Sequence, residues 1–268
     1  MNLRHFAGLS AAMEPWKTQI EKNKHKARRD FAGIASGAKN PYFNSDGLAE
    51  IMNNSMMSCP VAQFDEQGYP MRWKDSWKPA LFSEYFAHVD LALNRDAAGF
   101  AVGHFDKKRA LVIIDLAIEI RATQEKDINF GRIRSIIFYM RQLGFRIGCV
   151  SYDGWQSVDS RQILESKGIH AEYLSIDKNM EPYDTFLSFV NLKQFDTYNN
   201  PVLLTESRGL EMLDGRKVDH GPLGSKNVTD ATAGVCFWMA EKMGESKPAH
   251  RVISNVRPVR AVVIKHSI

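Results

Sequence analysis

Residues 86–93 read FAHVDLAL, residues 99–105 read GFAVGHF and residues 110–120 read ALVIIDLAIEI. Each is an apolar run of strand length. The joints between them are short and polar: Asn94 to Asp96, then Asp106, Lys107 and Lys108. Consecutive strands joined by such short turns form an antiparallel meander. Downstream the period changes. Ile133, Ile136, Ile137, Met140 and Leu143 recur at helical spacing, and Gly144 stops the helix. Residues 145–152, FRIGCVSY, form an apolar strand that runs out at Asp153-Gly154. A helix over 157–167 ends at Gly168, and residues 171–176 make another strand. Pro182 opens a helix that buries Phe186, Leu187 and Val190. Residues 210–220 suit a hairpin turning at Asp214-Gly215. A last helix starts near Asn227 and reaches Met243, with small residues Ala231, Ala233 and Gly234 that permit close approach to a sheet. An edge strand is expected at 259–264. Strand–helix–strand crossovers require parallel neighbours. The expected fold class is therefore α/β: a mixed sheet, three antiparallel strands then parallel ones, with helices on both faces.

The remainder of the chain has a different texture. Before residue 80, breakers are frequent (Gly33, Gly37, Pro41, Gly47, Pro60, Gly68, Pro70, Pro79), and Lys17 to Arg29 is a basic run. Beyond Glu245 there is no acidic residue, while Lys247, Arg251, Arg257, Arg260 and Lys265 make that end basic. Thirty-five Lys and Arg against 31 Asp and Glu leave a net charge of only +4 in 268 residues. That sum is compatible with a nucleic-acid partner if the charge is unevenly spread. No apolar run is long enough to span a bilayer, and no secretory leader is visible. Cys59, Cys149 and Cys236 form no CxxC pair, which favours a reducing setting and argues against a zinc knuckle. Neither a GxxxxGK[ST] phosphate loop nor a GxGxxG occurs, so ATP hydrolysis by this chain alone is not expected.

Three carboxylates stand where chemistry is done. Asp90 interrupts an apolar strand, which is costly unless the charge is paired or binds a metal. Asp153 lies at the carboxyl end of a strand, where open α/β sheets bind ligands. Asp230 lies in the first turn of the last helix, where the dipole favours an anion. If the first and fourth strands lie side by side, Asp90 and Asp153 meet, and the last helix can bring Asp230 to them. Converging carboxylates suit hard divalent cations, Mg²⁺ or Mn²⁺, and two-metal hydrolysis of a phosphodiester. Taken singly, a strand Asp is more often a hydrogen-bonded structural group and a helix-start Asp a cap; the joint placement carries the reading. Asp115, inside the third strand, is read as structural, and Asp159 as a helix-start residue.

Three stretches carry a resemblance: HVDLALNRDAAGFAVGH (88–104), VSYDGWQSVDSRQILESKGIHAEYLSID (150–177) and KVDHGPLGSKNVTDATAGV (217–235). Together they resemble the C-terminal nuclease domain of the tailed-bacteriophage terminase large subunit, over about residues 84–243. The resemblance implies an RNase H-like fold over 81–268, with residues 1–80 as a connector like the one joining ATPase and nuclease. It implies metal-binding, catalytic roles for Asp90, Asp153 and Asp230. Asp96 matches an acidic position of the family suited to a second metal or its water; read alone, it caps a turn. Asn227 replaces an Asp common in the family. The implied activity is endonucleolytic cutting of concatemeric double-stranded viral DNA during packaging, with Mg²⁺ or Mn²⁺, two ions when DNA is bound. The implied partners are DNA, the portal protein, the small terminase subunit and a terminase ATPase domain, in the cytoplasm of an infected bacterium. With no phosphate loop, the chain is either a separate nuclease piece or part of a longer one.

Candidate DNA-phosphate contacts are Arg216, Lys217 and Lys226, which flank the third aspartate. His220 beside Asp219 faces DNA, a metal or only solvent. Trp155 is read as core packing. Two other readings stand beside the terminase one. One is a different RNase H-like nuclease, a junction resolvase or a hybrid-specific ribonuclease. The other is a non-catalytic DNA-binding or motor-docking module.

Overall fold

A computed structural model describes residues 41–91, 97–154, 157–178, 180–213, 217–221 and 224–245. The basic run at 17–29, the basic segment after Glu245, the edge strand expected at 259–264, the Asp214-Gly215 turn, Asp96, Trp155 and Arg216 lie outside the described residues. In chain order the elements are α1 (Ser45–Asn54), β1 (Val61–Phe64), β2 (Pro70–Trp73), β3 (Glu84–Leu91), β4 (Ala97–Asp106), β5 (Leu111–Arg121), α2 (Phe130–Gln142), β6 (Arg146–Tyr152), α3 (Val158–Ser166), β7 (Ala171–Tyr173), α4 (Glu181–Asn191), β8 (Phe195–Thr197), α5 (Pro201–Gly209), β9 (Leu210–Leu213), β10 (Lys217–His220) and α6 (Asn227–Glu245).

The central sheet has the order β7-β6-β3-β4-β5-β8. Strands β3, β4 and β5 form the expected antiparallel meander. Strand β6 runs parallel to β3, β7 parallel to β6, and β8 parallel to β5. The first and fourth strands of the sequence reading, β3 and β6, are thus neighbours. Two small hairpins, β1–β2 and β9–β10, stand apart from this sheet.

The two-residue period of a strand sorts side chains between the faces. On β3, Tyr85, Ala87, Val89 and Leu91 enter one core with α2's Ile133, Ile136, Ile137 and Met140. Phe86 enters the opposite core with Ala231, Ala233, Val235 and Met239 of α6. His88 and Asp90 share Phe86's face by the same alternation. Helix α6 lies across β3, β4 and β5.

Two glycines make that contact possible. A Cβ built on Gly99 would stand 1.8 Å from the Asn227 carbonyl oxygen, and one on Gly234 would stand 2.4 Å from Cγ of His88. The first turn of α6 therefore touches the sheet backbone opposite Asp90, the cross-strand partner of Gly99. Residues 41–80 also take part in the packing. Phe43, Leu48 and Met52, the last two on α1, are buried in the α6-side core, and Val61 and Tyr69 in the other.

Candidate active site

Asp90 occupies the last turn of the alternation on β3, facing α6, and is buried. Register brings Asp153 beside it. Val89 pairs with Tyr152 in the parallel ladder, and the Asp153 backbone N–H donates to the Val89 carbonyl at 2.9 Å. Asp153 lies one step beyond β6, on the face of Cys149 and Ser151. Its Oδ1 accepts from the Gly154 N–H at 2.7 Å and its Oδ2 from the Ile176 N–H at 3.0 Å. Those two bonds orient the carboxylate at the carboxyl ends of β3 and β6.

Asp230 arrives from the other layer, in the first turn of α6, and is buried. Its Oδ1 accepts from the Tyr183 hydroxyl on α4, and its Oδ2 faces the Lys226 ammonium at 3.0 Å. The same ammonium reaches Oδ1 of Asp177 at 2.6 Å. Lys226 is thus a buried cation held between an inner and an outer carboxylate.

The electrostatics centre on Asp90. Burial, and then the charges of Asp230 and Asp153, push the Asp90 carboxyl well above the usual carboxylate range, against the relief given by Lys226. Burial raises Asp230 to about 6, although Lys226 and Tyr183 both favour its charged form. Burial works against the Lys226 ammonium, but Asp230 and Asp177 outweigh it and raise it above an ordinary lysine. His88, beneath the site, shares a 2.7 Å hydrogen bond with Ser151, and burial pushes its ring down to about 3.

Helix α6 is itself anchored from outside. Glu206 of α5 is buried and accepts from the Thr229 N–H at 2.8 Å, the Thr229 hydroxyl at 3.1 Å and the Ser225 hydroxyl at 2.9 Å. The carboxylate satisfies an otherwise free N–H of the first turn, the task of a cap, from a different element. Burial raises Glu206 to about 7, against the pull of those three bonds.

The residues expected to touch DNA divide. Lys217 on β10 is half-exposed and paired with Asp219 at 2.9 Å. Lys226 is turned inward on carboxylates. His220 bonds the Gly221 carbonyl through Nδ1 at 2.7 Å. Asp115 pairs with His104 at 2.7 Å, a structural role. Asp159 sits in the first turn of α3 and meets Arg134 at 3.3 Å. Asp177, Tyr183 and Glu206 are parts of the site that sequence reasoning missed. None of the three carried a local signal of that role, since each reaches the site only through contacts distant in sequence.

The oxygen donors match Mg²⁺ or Mn²⁺ in kind. Among the described residues, no three His, Cys, Asp or Glu side chains are arranged to hold a metal ion. The cation present at the carboxylates is the Lys226 ammonium, a stand-in of like sign.

No protein-family model matches the sequence, and no curated protein matches it. Solved structures do. The large terminase nuclease of thermophilic phage G20c, with bound magnesium, is 14% identical at a TM-score of 0.51, over 74% of this chain and 97% of that one. The large terminase nuclease domain of Thermus phage P74-26 is 12% identical at 0.50, over 71% and 92%. The large terminase of bacteriophage HK97 is 11% identical at 0.52, over 74% of this chain and 43% of the larger one. With its strand order and these likenesses, the chain has the fold of the large-terminase nuclease domains, an RNase H-like mixed sheet between helical layers.

Proposed function

We propose that this chain is a divalent-metal-dependent endonuclease that cuts concatemeric double-stranded viral DNA during genome packaging. The observation that carries the reading is the placement of Asp90 and Asp153 at two neighbouring strand ends with Asp230 on the helix start packed against that sheet, so that the charges of Asp153 and Asp230 both act on Asp90. The terminase-like fold supplies the context, since fold alone does not assign chemistry.

In this reading Asp90, Asp153 and Asp230 hold two Mg²⁺ or Mn²⁺ ions once DNA is bound, with Asp96 as a further ligand. The bound ions would supply a hydroxide-like water and neutralise charge on the scissile phosphate. The protein's own contribution is orientation. Backbone N–H groups fix Asp153, Tyr183 fixes one oxygen of Asp230, and Glu206 fixes the helix that bears it. Lys217, on the β9–β10 hairpin, meets phosphates without reading sequence, and the same part is proposed for Arg216. The wider setting is the cytoplasm of an infected bacterium, with the portal protein, the small terminase subunit and a terminase ATPase domain as partners. No helix among the described residues is long and apolar enough to cross a membrane.

The test is incubation of the protein with supercoiled plasmid and Mn²⁺ or Mg²⁺. Nicking and linearisation are expected, and their loss with EDTA or with Asp153→Ala. Equal activity of Asp153→Ala removes the site assignment. Cutting confined to four-way junctions or RNA–DNA hybrids points to a resolvase or ribonuclease, and no cleavage with either metal points to a DNA-binding or docking module.

A further inference from the structure

We propose that Lys226 is a built-in competitor for the divalent cation: its ammonium neutralises the carboxylate site when metal is absent and swings away from Asp230 when metal binds. The inference rests on the metal-dependent reading above and deepens it. A lysine beside an aspartate on a surface helix is ordinary and contributes little. Lys226 differs in three respects. Its side chain is 11% exposed, so a long flexible cation has been desolvated at a cost that only close carboxylates can offset. Its Nζ is shared between two carboxylates, 3.0 Å from buried Asp230 and 2.6 Å from Asp177, whose side chain is 48% exposed. Its position is fixed by backbone as well, because the Lys226 carbonyl accepts the Asp230 N–H at 2.7 Å.

That geometry makes a two-position switch. Asp177 is the outer partner and lies toward solvent, so the ammonium can retain it while releasing Asp230. The flexible four-carbon stem allows the movement without shifting α6. Tyr183 marks the inner position on another side, with its ring centroid 5.8 Å from Nζ and its hydroxyl on the other oxygen of Asp230. A divalent ion at Asp230 would meet a like charge at close range and be repelled by it. Both cations cannot hold the inner position.

The consequence concerns timing. At low metal concentration the ion would enter the site appreciably only when something else attracts the ammonium outward; at saturating concentration it displaces the ammonium by mass action. The polyanionic backbone of bound DNA is suited to this, since Lys226 sits at the start of α6 between the inner carboxylates and Asp177.

Two measurements test this. Mn²⁺ affinity is read by electron paramagnetic resonance of free Mn²⁺, for the full chain and for Lys226→Met, Lys226→Arg and Asp153→Asn. Lys226→Met is expected to bind Mn²⁺ roughly tenfold more tightly, because the competing charge is gone, while Lys226→Arg stays near the wild type. Equal or weaker binding by Lys226→Met overturns the proposal. The second measurement needs no variant: amine labelling of the native protein, followed residue by residue by mass spectrometry. Mn²⁺ is expected to speed labelling of Lys226 several-fold and leave Lys193 unchanged. Unchanged or slower labelling of Lys226 at saturating Mn²⁺ overturns the proposal on folded, unmodified protein. If Mn²⁺ binds the wild type and is lost in Asp153→Asn, a failure at Lys226 leaves the nuclease reading standing. If no Mn²⁺ binds wild type or Lys226→Met, both fall together.

Discussion

Asp90 has Gly99 across from it on one neighbouring strand and Asp153 alongside on the other. That is why its charge is hard to hold, and why the sequence betrayed it: an ionisable group in a run such as FAHVDLAL has few inexpensive explanations. Asp153 and Asp230 were legible for related reasons, as a strand end followed by Gly154 and a helix start. The groups that tune them were not legible. Asp177, Tyr183 and Glu206 lie 53, 47 and 24 positions before Asp230 in sequence (230 − 177, 230 − 183 and 230 − 206) and act only through tertiary contact. Glu206 provides a pH signature. Its folded-state value, about 7, lies above the ordinary 4.5. The folded protein therefore holds this proton more tightly, and the associated stability is present at low pH and lost as pH climbs from about 4.5 through 7. The slope is at most ~1.4 kcal/mol per pH unit, that of one proton. Urea melts of wild type and Glu206→Gln are expected to agree most closely near pH 4.5, where Glu206 is protonated and resembles the amide, and to separate as pH rises, the wild type losing stability. Curves that stay parallel would remove Glu206 as the source.

At the scale of elements, the long strands were readable and the short ones were not. Strands β3, β4 and β5 have 8, 10 and 11 residues and a clear apolar pattern, whereas β7 and β8 have three residues each. A three-residue strand holds too few side chains to show a period; β7 was seen only as part of a longer run, and β8 is set by its parallel partner β5. Helix α5 had a start signal that sequence reading passed over. Asn200 accepts the Leu203 N–H at 3.2 Å and Pro201 takes the first helical position. The decisive element is α6, and its contact with β4 is a matter of missing Cβ atoms. Gly99→Ala places a methyl against a backbone carbonyl that no rotamer change can move. A loss of about 1–3 kcal/mol is expected, with Mn²⁺ binding impaired because Asp230 rides on the displaced turn. Gly234→Ala meets only the His88 ring and is expected to cost stability with less effect on the metal. Guanidinium melts with Mn²⁺ titrations distinguish the two. Equal metal affinity in Gly99→Ala and wild type would mean that the close approach does not position the site.

On the scale of the whole molecule, two cores back one sheet, and residues 41–73 feed both. Leu48 of α1 is fully buried beside Phe43 and Met52. The frequent prolines and glycines before residue 80 hide this packing from the sequence, because a helix as short as α1 leaves no periodic trace of its contact with α5. Leu48→Ala is expected to lower stability by about 2–5 kcal/mol, the range for a truncated core leucine, in the same cooperative transition as the sheet. A separate early transition, or no change, would make 41–73 an independent appendage. Two layers meeting at a sheet end also explain how Asp153 and Asp230 come to act on Asp90. The central claim is that the three together hold metal. Anomalous diffraction from a crystal soaked in Mn²⁺ tests it most directly. A Mn²⁺ peak about 2 Å from carboxylate oxygens of Asp90, Asp153 and Asp230, with the Lys226 ammonium withdrawn from Asp230, is the expected result. Mn²⁺ bound elsewhere, or no peak at millimolar Mn²⁺ with Lys226 still seated on Asp230, would contradict it.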